Sequence, residues 1–208
     1  MGLKTAIIGA GGHSAVLVDT LSVLGYDVDN IVFFAEVVDT NLMPKTNMVR
    51  RLSELFENTS LYGDKTIAIG DNLARSRIVE ELALRKIQLV SVVHPSAYVS
   101  KLSSIGEATT VMAGCVVQPN TSIGKANILN TCSSIDHDCF LDDFVHVGPG
   151  ARLTGNVKIG KRTFIGAGAV INPGIEIGDD VIVASGATVI KNVASGITVA
   201  GTPATRIN

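Results

Sequence analysis

The chain has no tryptophan, and aromatic residues of all kinds make up 4% of its 208 residues, so a core built around large rings is not open to it. Charge is also scarce. Charged residues are 17% of the total and the formal net charge is -2, which leaves no basic stripe for nucleic acid or for an anionic membrane surface and points to a small-molecule partner. There is no apolar run long enough to span a bilayer and no secretory leader. Cys115, Cys132 and Cys139 are an odd number without a disulfide pattern, so the chain reads as cytoplasmic with free thiols. Only four histidines occur, yet His137 and His146 both fall within SSIDHDCFLDDFVHVG, the first of them flanked by Asp136 and Asp138.

What is present has two periodicities. Residues 1–90 alternate like an α/β unit: the strand KTAIIG, an apolar-rich helix HSAVLVDTLSVLG closing at Gly25, the strand IVFFAE, a polar loop, a short helix in MVRRLSELFE, the strand KTIAIG, and a helix ARSRIVEELALRK. That alternation predicts a parallel sheet in a Rossmann-like domain. Residues 91–208 follow another rule. An aliphatic residue recurs at every sixth position, from Val93, Val99 and Ile105 through to Val183 and Val189, seventeen times without a break. Four residues after each stands a small or β-branched residue such as Ala97, Thr109, Cys115, Ala151 or Ala187, and glycine often follows the aliphatic directly, as at Gly124, Gly148 and Gly166.

A six-residue period is the mark of a hexapeptide β-helix, a prism whose flat faces are short stacked strands with the aliphatic column inside. Three hexads make a coil, so the repeat gives between five and six coils, a column of about 27 Å at the usual inter-strand spacing. A β-sandwich would show period two and irregular turns. On the residues alone, His137 reads first as a turn cap held between two aspartates, and Asp136 as a turn residue standing where other hexads carry glycine.

Several segments together carry a resemblance: IIGAGGHSAVLVD, IAIGDN, HPSAYVS, LNTCSSIDHDC, HVGPGARLTGNVKIG and GTPATRI. On these, nearly the whole chain resembles bacterial sugar acetyltransferases that join a small Rossmann-like domain to a left-handed parallel β-helix, the group that N-acetylates nucleotide-linked 4-amino-4,6-dideoxy sugars or O-acetylates sialic acids. The resemblance implies the left-handed turn, acetyl-CoA as cosubstrate with no metal, and a homotrimer with active sites between subunits. It also implies His137 as general base with Asp138 raising its basicity, and acetyl-CoA contacts at His146, Ala167, Ser185 and Pro203. A nucleotide-sugar pyrophosphate is implied beside Gly11, Gly12 and His13, with Gly70 and Asn72 as further substrate contacts and Asn130 positioning the sugar near His137.

Two departures matter. The dinucleotide fingerprint is incomplete, because Ser14 stands where its third glycine belongs. At the end of the second strand the family's paired aspartates are replaced by Ala35-Glu36, so only Glu36 remains to contact the nucleotide, and the base, uridine or thymidine, stays open. The competing functions are O-acetylation of a sialic-acid-like sugar with the same base, a γ-carbonic-anhydrase-like hydratase needing three histidine ligands for a metal, and a non-catalytic scaffold.

Overall fold

A computed structural model of the chain describes residues 3–36 and 48–207, and the polar loop expected after the second strand lies outside them. The chain divides into two compact units, Met1–Val92 and Val93–Asn208.

Among the described residues, the first unit has β1 (Lys4–Ile8), α1 (Gly12–Val23), β2 (Ile31–Ala35), β3 (Met48–Arg51), α2 (Leu52–Glu57), β4 (Tyr62–Ile67) and α3 (Asn72–Leu84). The strands form one parallel sheet in the order β3-β2-β1-β4. β1 lies between two neighbours, which is why Ala6, Ile7 and Ile8 are consecutive and all buried. The short helix expected in MVRRLSELFE is present but starts only at Leu52, because the first four residues are an edge strand paired from Val32↔Met48 to Ala35↔Arg51. A segment this short carries too few turns for its apolar spacing to separate strand from helix, and the open edge of β2 decides the matter.

The second unit is a prism. Each of seventeen two-residue strands, from Val92–Val93 to Thr188–Val189, ends on the aliphatic residue of its hexad. These residues point inward, and every one from Val111 to Val189 is buried. Parallel ladders join residues one coil apart, as in Ser134↔Arg152 and Ile135↔Leu153. The strands fall into three faces: a first face through Ile128–Leu129, His146–Val147 and Phe164–Ile165, a second through Val116–Val117, Ser134–Ile135 and Arg152–Leu153, and a third through Ser122–Ile123, Phe140–Leu141 and Lys158–Ile159.

The turns explain the rest of the repeat. From Ala108 to Gly186 the fourth residue of each hexad takes a left-handed conformation, with φ of 56° at Cys132, 60° at Asp138 and 58° at Asn156, which turns the chain from one face to the next. The second residue lies against the coil below; a Cβ on Gly148 would come within 2.7 Å of the Ile165 carbonyl oxygen. The fifth residue fills the corner, and polar ones are satisfied there: Thr163 Oγ1 donates to the Gly178 carbonyl and accepts from the Val181 N–H. Cys115, Cys132 and Cys139 are free thiols. Burial pushes Cys115 up to about 11, so it stays protonated and acts as a small apolar filler.

The uninterrupted hexads end at Val189. Val193 then bridges Ile177, and the ladder spacing there contracts to sixteen residues, as between Ser195 and Asp179. A final strand, Thr205–Ile207, runs antiparallel to Thr198–Ala200.

The inward column is expected to set the stability of the prism. Ile135→Ala removes a fully buried side chain from it and should cost about 2–5 kcal/mol, read as a lower urea midpoint with an unchanged slope.

Candidate functional site

The first unit gathers its candidates at the carboxyl ends of β1, β2 and β4, where parallel sheets receive ligands. A cavity of about 300 Å³ opens there, lined by Gly9, Gly11, Phe34, Glu36, Leu52 and Gly70 among others. Gly9 is required by packing, since a Cβ on it would lie 2.6 Å from the Ala68 carbonyl oxygen and its φ is +117°. Gly11, Gly12 and Gly70 differ. Their φ values suit any residue and an added Cβ would meet nothing within 4 Å, so internal packing does not demand glycine at these three positions.

Asn72 faces the protein: its side-chain oxygen accepts from Arg75 at 2.7 Å. Arg75 is itself buried and donates to the carbonyls of Ile69 (2.9 Å) and Gly70 (3.0 Å), so a guanidinium inside the unit shapes the loop that walls the cavity. Asp71 caps the same helix through the Ala74 N–H. The sequence reading missed Arg75, whose place one turn into the helix after IAIGDN was the available signal. His13 is the second residue of α1, with its Nε2 buried, and burial together with the Arg75 charge lowers its pKa to about 4. It is therefore neutral near pH 7 and offers a ligand hydrogen bonding, not charge.

In the prism, His137 and Asp138 sit on the turn between the second and third faces. Both are exposed, and His137 Nδ1 lies 2.7 Å from Asp138 Oδ2. This bond raises the His137 pKa and lowers that of Asp138, to which Asn120 also donates. A carboxylate on Nδ1 leaves Nε2 as the basic nitrogen of the neutral ring, and Nε2 makes no hydrogen bond among the described residues. Asp136 accepts from the His137 N–H at 2.8 Å, as Asp142 does from Asp143, which is the turn role expected for it.

His146 lies on the first face, edge-on to Phe164, and its Nε2 is 3.2 Å from the Asn130 amide nitrogen. Asn130 accepts the Thr131 N–H through Oδ1, which orients its NH₂ toward His146 and makes Nε2 the acceptor. Asn130 is thus held with His146, beside the turn from first to second face. Ala167 and Ser185 are exposed on that same edge, eighteen residues apart, and the Ala167 carbonyl accepts from the neighbouring Gly186 N–H. The loop carrying Pro203 continues the edge, with Thr202 against Thr188 and Gly186. One chain therefore carries two separated groups: His137 and Asp138 on one edge of the prism, and His146, Asn130, Ala167, Ser185 and Pro203 at the other side of the second face. Among the described residues, no group of three or more histidine, cysteine or acidic side chains is placed to hold a metal ion.

This fold, with an aliphatic column inside the prism and a ligand-sized cavity in the α/β unit, defines a left-handed β-helix transferase with an N-terminal α/β domain. Residues 4–82 match the PglD N-terminal domain, and residues 156–191 match the bacterial transferase hexapeptide of six repeats. The acetyltransferase domain of PglB from Neisseria gonorrhoeae FA1090, solved in complex with acetyl coenzyme A, is 36% identical, with a TM-score of 0.91 over 99% of this chain and 100% of that one. PerB from Caulobacter crescentus, in complex with CoA and GDP-perosamine, is 31% identical, with a TM-score of 0.91 over 99% of this chain and 97% of that one. The GDP-perosamine N-acetyltransferase of Escherichia coli O157:H7 is 35% identical over 99 residues, which are 48% of this chain and 45% of that protein, so the match spans about half of each. The chain belongs to the bacterial sugar acetyltransferases that join a PglD-type domain to a hexapeptide β-helix.

The state of His13 has a measurable consequence. The unfolded chain protonates this residue near 6.5, whereas the native state resists to about 4, so below 6.5 the native state binds fewer protons. Its contribution is complete above pH 6.5 and declines toward pH 4, by up to about 3 kcal/mol. Denaturant titrations at pH 7 and pH 4.5 should show a steeper loss in wild type than in His13→Gln; equal losses would mean that the ring is solvated.

Proposed function

We propose that this protein transfers an acetyl group from acetyl-CoA to the 4-amino group of a nucleotide-linked 4-amino-4,6-dideoxy sugar, with His137 as general base. The observation that carries this reading is the His137–Asp138 pair, an exposed imidazole with one nitrogen held by a carboxylate and the other left open. A sugar amine cannot attack a thioester while protonated, and an imidazole titrating near neutrality is suited to take its proton. The ammonium first releases one proton to solvent, and Nε2 then accepts a second from the free amine as its nitrogen bonds to the thioester carbonyl carbon. Backbone N–H groups at the turns are suited to the resulting oxyanion. Its collapse breaks the carbon–sulfur bond, and the thiolate of CoA takes the proton back from the imidazolium.

The separated groups on the prism support a trimer. Its threefold axis would set the His137 edge of one chain against the His146, Ala167 and Ser185 edge of the next, with acetyl-CoA in the cleft between them. Pro203 lies at the adenine end of that proposal. The cavity of the α/β unit is proposed for the nucleotide, its pyrophosphate beside Gly11, Gly12 and His13, with Gly70 and Asn72 shaping the wall. Glu36 is the acidic residue left to contact the base. PerB is solved with GDP-perosamine, the Escherichia coli relative is named for it, and a Bacillus subtilis relative, 47% identical over 47 residues or 23% of this chain, is a UDP-N-acetylbacillosamine N-acetyltransferase, so GDP joins UDP and dTDP as a candidate carrier.

Incubation of the protein with acetyl-CoA and a panel of GDP-, UDP- and dTDP-linked 4-amino sugars and free sialic acids should give an acetylated amino sugar by mass. Acetylation of the sialic acids alone would replace the proposal with O-acetylation. Removing the base should lower kcat by about 10²–10⁴-fold, so His137→Ala is expected to lose turnover while keeping its melting temperature. Because Asp138 raises the His137 pKa, Asp138→Asn should cost less and move the acidic limb of the pH profile downward. Normal turnover in His137→Ala would remove the general base. Sedimentation should give a trimer, and a fully active monomer would remove the shared cleft.

A further inference from the structure

We infer that Asn120, one coil before the His137–Asp138 turn, and Gly155, one coil after it, are positioning residues for the general base. The inference rests on the base assignment above and adds what holds that base in place.

Asp138 has two oxygens with separate tasks. Oδ2 meets His137 Nδ1 at 2.7 Å, and Oδ1 accepts from the Asn120 side-chain nitrogen at 3.1 Å, across the eighteen residues of a coil. The carboxylate is thus tied on both sides, and its plane is set by a residue of the preceding turn. Asn120 and Asp138 both occupy the left-handed fourth position, each with φ of 60°, which aspartate and asparagine tolerate better than most residues. The backbone adds its own restraints. The Asp138 N–H donates to the Pro119 carbonyl, and the His137 carbonyl accepts from Asn156.

Gly155 stands eighteen residues after His137. Its φ is one that any residue adopts, so the turn itself does not require glycine. A Cβ there would lie 2.6 Å from His137 Cε1, 2.8 Å from Nε2 and 3.3 Å from Nδ1, and these ring atoms are its three nearest neighbours. The missing side chain leaves the space that the imidazole occupies. The charged groups acting on His137 are Asp136 and Asp138 of its own turn. The turns on either side present Pro119, Asn120, Gly155 and Asn156, none of which titrates. Removal of Asn120 or enlargement of Gly155 therefore acts on the geometry of the pair without changing the charge around it.

The test uses the intact protein and the acetylation assay, with kcat, KM for both substrates, the acidic limb and the melting temperature measured on each variant. Asn120→Gly keeps a residue at ease in the left-handed turn and removes the amide. Loss of one hydrogen bond to a charged group should lower kcat about tenfold. KM should hold, and the acidic limb should move downward, in the direction of Asp138→Asn, because the carboxylate is no longer held on Nδ1. In an Asp138→Asn background the same change should have no further effect, since the two residues act through one carboxylate. Gly155→Ala displaces the ring, and a misplacement near 1 Å should lower kcat about a hundredfold, with an unchanged or raised melting temperature. Unaltered kcat and pH limb in both variants, beside an inactive His137→Ala, would overturn this inference and leave the base assignment standing. Activity lost only together with the melting temperature in both variants would also overturn it. An active His137→Ala would instead overturn the base assignment on which it rests.

Discussion

The prism depends on the stacking of each coil on the one before it, residue over residue at a spacing of eighteen. Parallel ladders on three faces satisfy the strand backbones, and the aliphatic column satisfies the hydrophobic requirement, so neither can shift without the other. A register slip would turn the column outward and place polar strand residues inside. The turns inherit the same discipline. Because the fourth residue is left-handed from Ala108 to Gly186, glycine, asparagine and aspartate are favoured there, and a carboxylate such as Asp138 arrives at an edge as a by-product of the backbone geometry.

That discipline also makes the three edges chemically different. Between the third and first faces, charge alternates from coil to coil: Asp143 accepts from the Lys125 N–H, Asp179 from the Lys161 N–H, and Arg162 pairs with Asp180. Such exposed pairs contribute little to stability singly and suit a solvated surface. Between the second and third faces, the corresponding positions nearest the site are Pro119, His137, Gly155 and Pro173, where one imidazole stands without charged residues on the turns directly above and below. The function proposed for the chain uses that contrast, since a base whose protonation is governed by its own two aspartates has a simple pH response.

Much of the fold was legible in the sequence because a repeat states its geometry many times. Each aliphatic from Val93 to Val189 closes a strand, so the period alone located seventeen elements. The strand at Met48–Arg51 was not legible, as its identity depends on the open edge of β2 and not on its own pattern. The site divided similarly. His137 and Asp138 are adjacent in sequence and their contact is local, whereas Asn120 and Gly155 act from one coil away. Counting eighteen in each direction would have found both. Arg75 offered no such rule: its role follows from burial beneath the loop it bonds to, and burial of an arginine is not written in a helical pattern.

A stack of parallel coils has no inherent last member, because the final coil presents the same unpaired strand edges that its predecessors used. The contraction to sixteen residues and the returning strand Thr205–Ile207 alter this at the carboxyl end of the first face. The returning strand runs against the direction of the ladder, so a coil stacked on it in the same sense as the others would have to pair antiparallel and not in the parallel register that joins the coils. On that face the run of parallel pairings therefore passes into an antiparallel one, and the regular coil-on-coil ladder is interrupted.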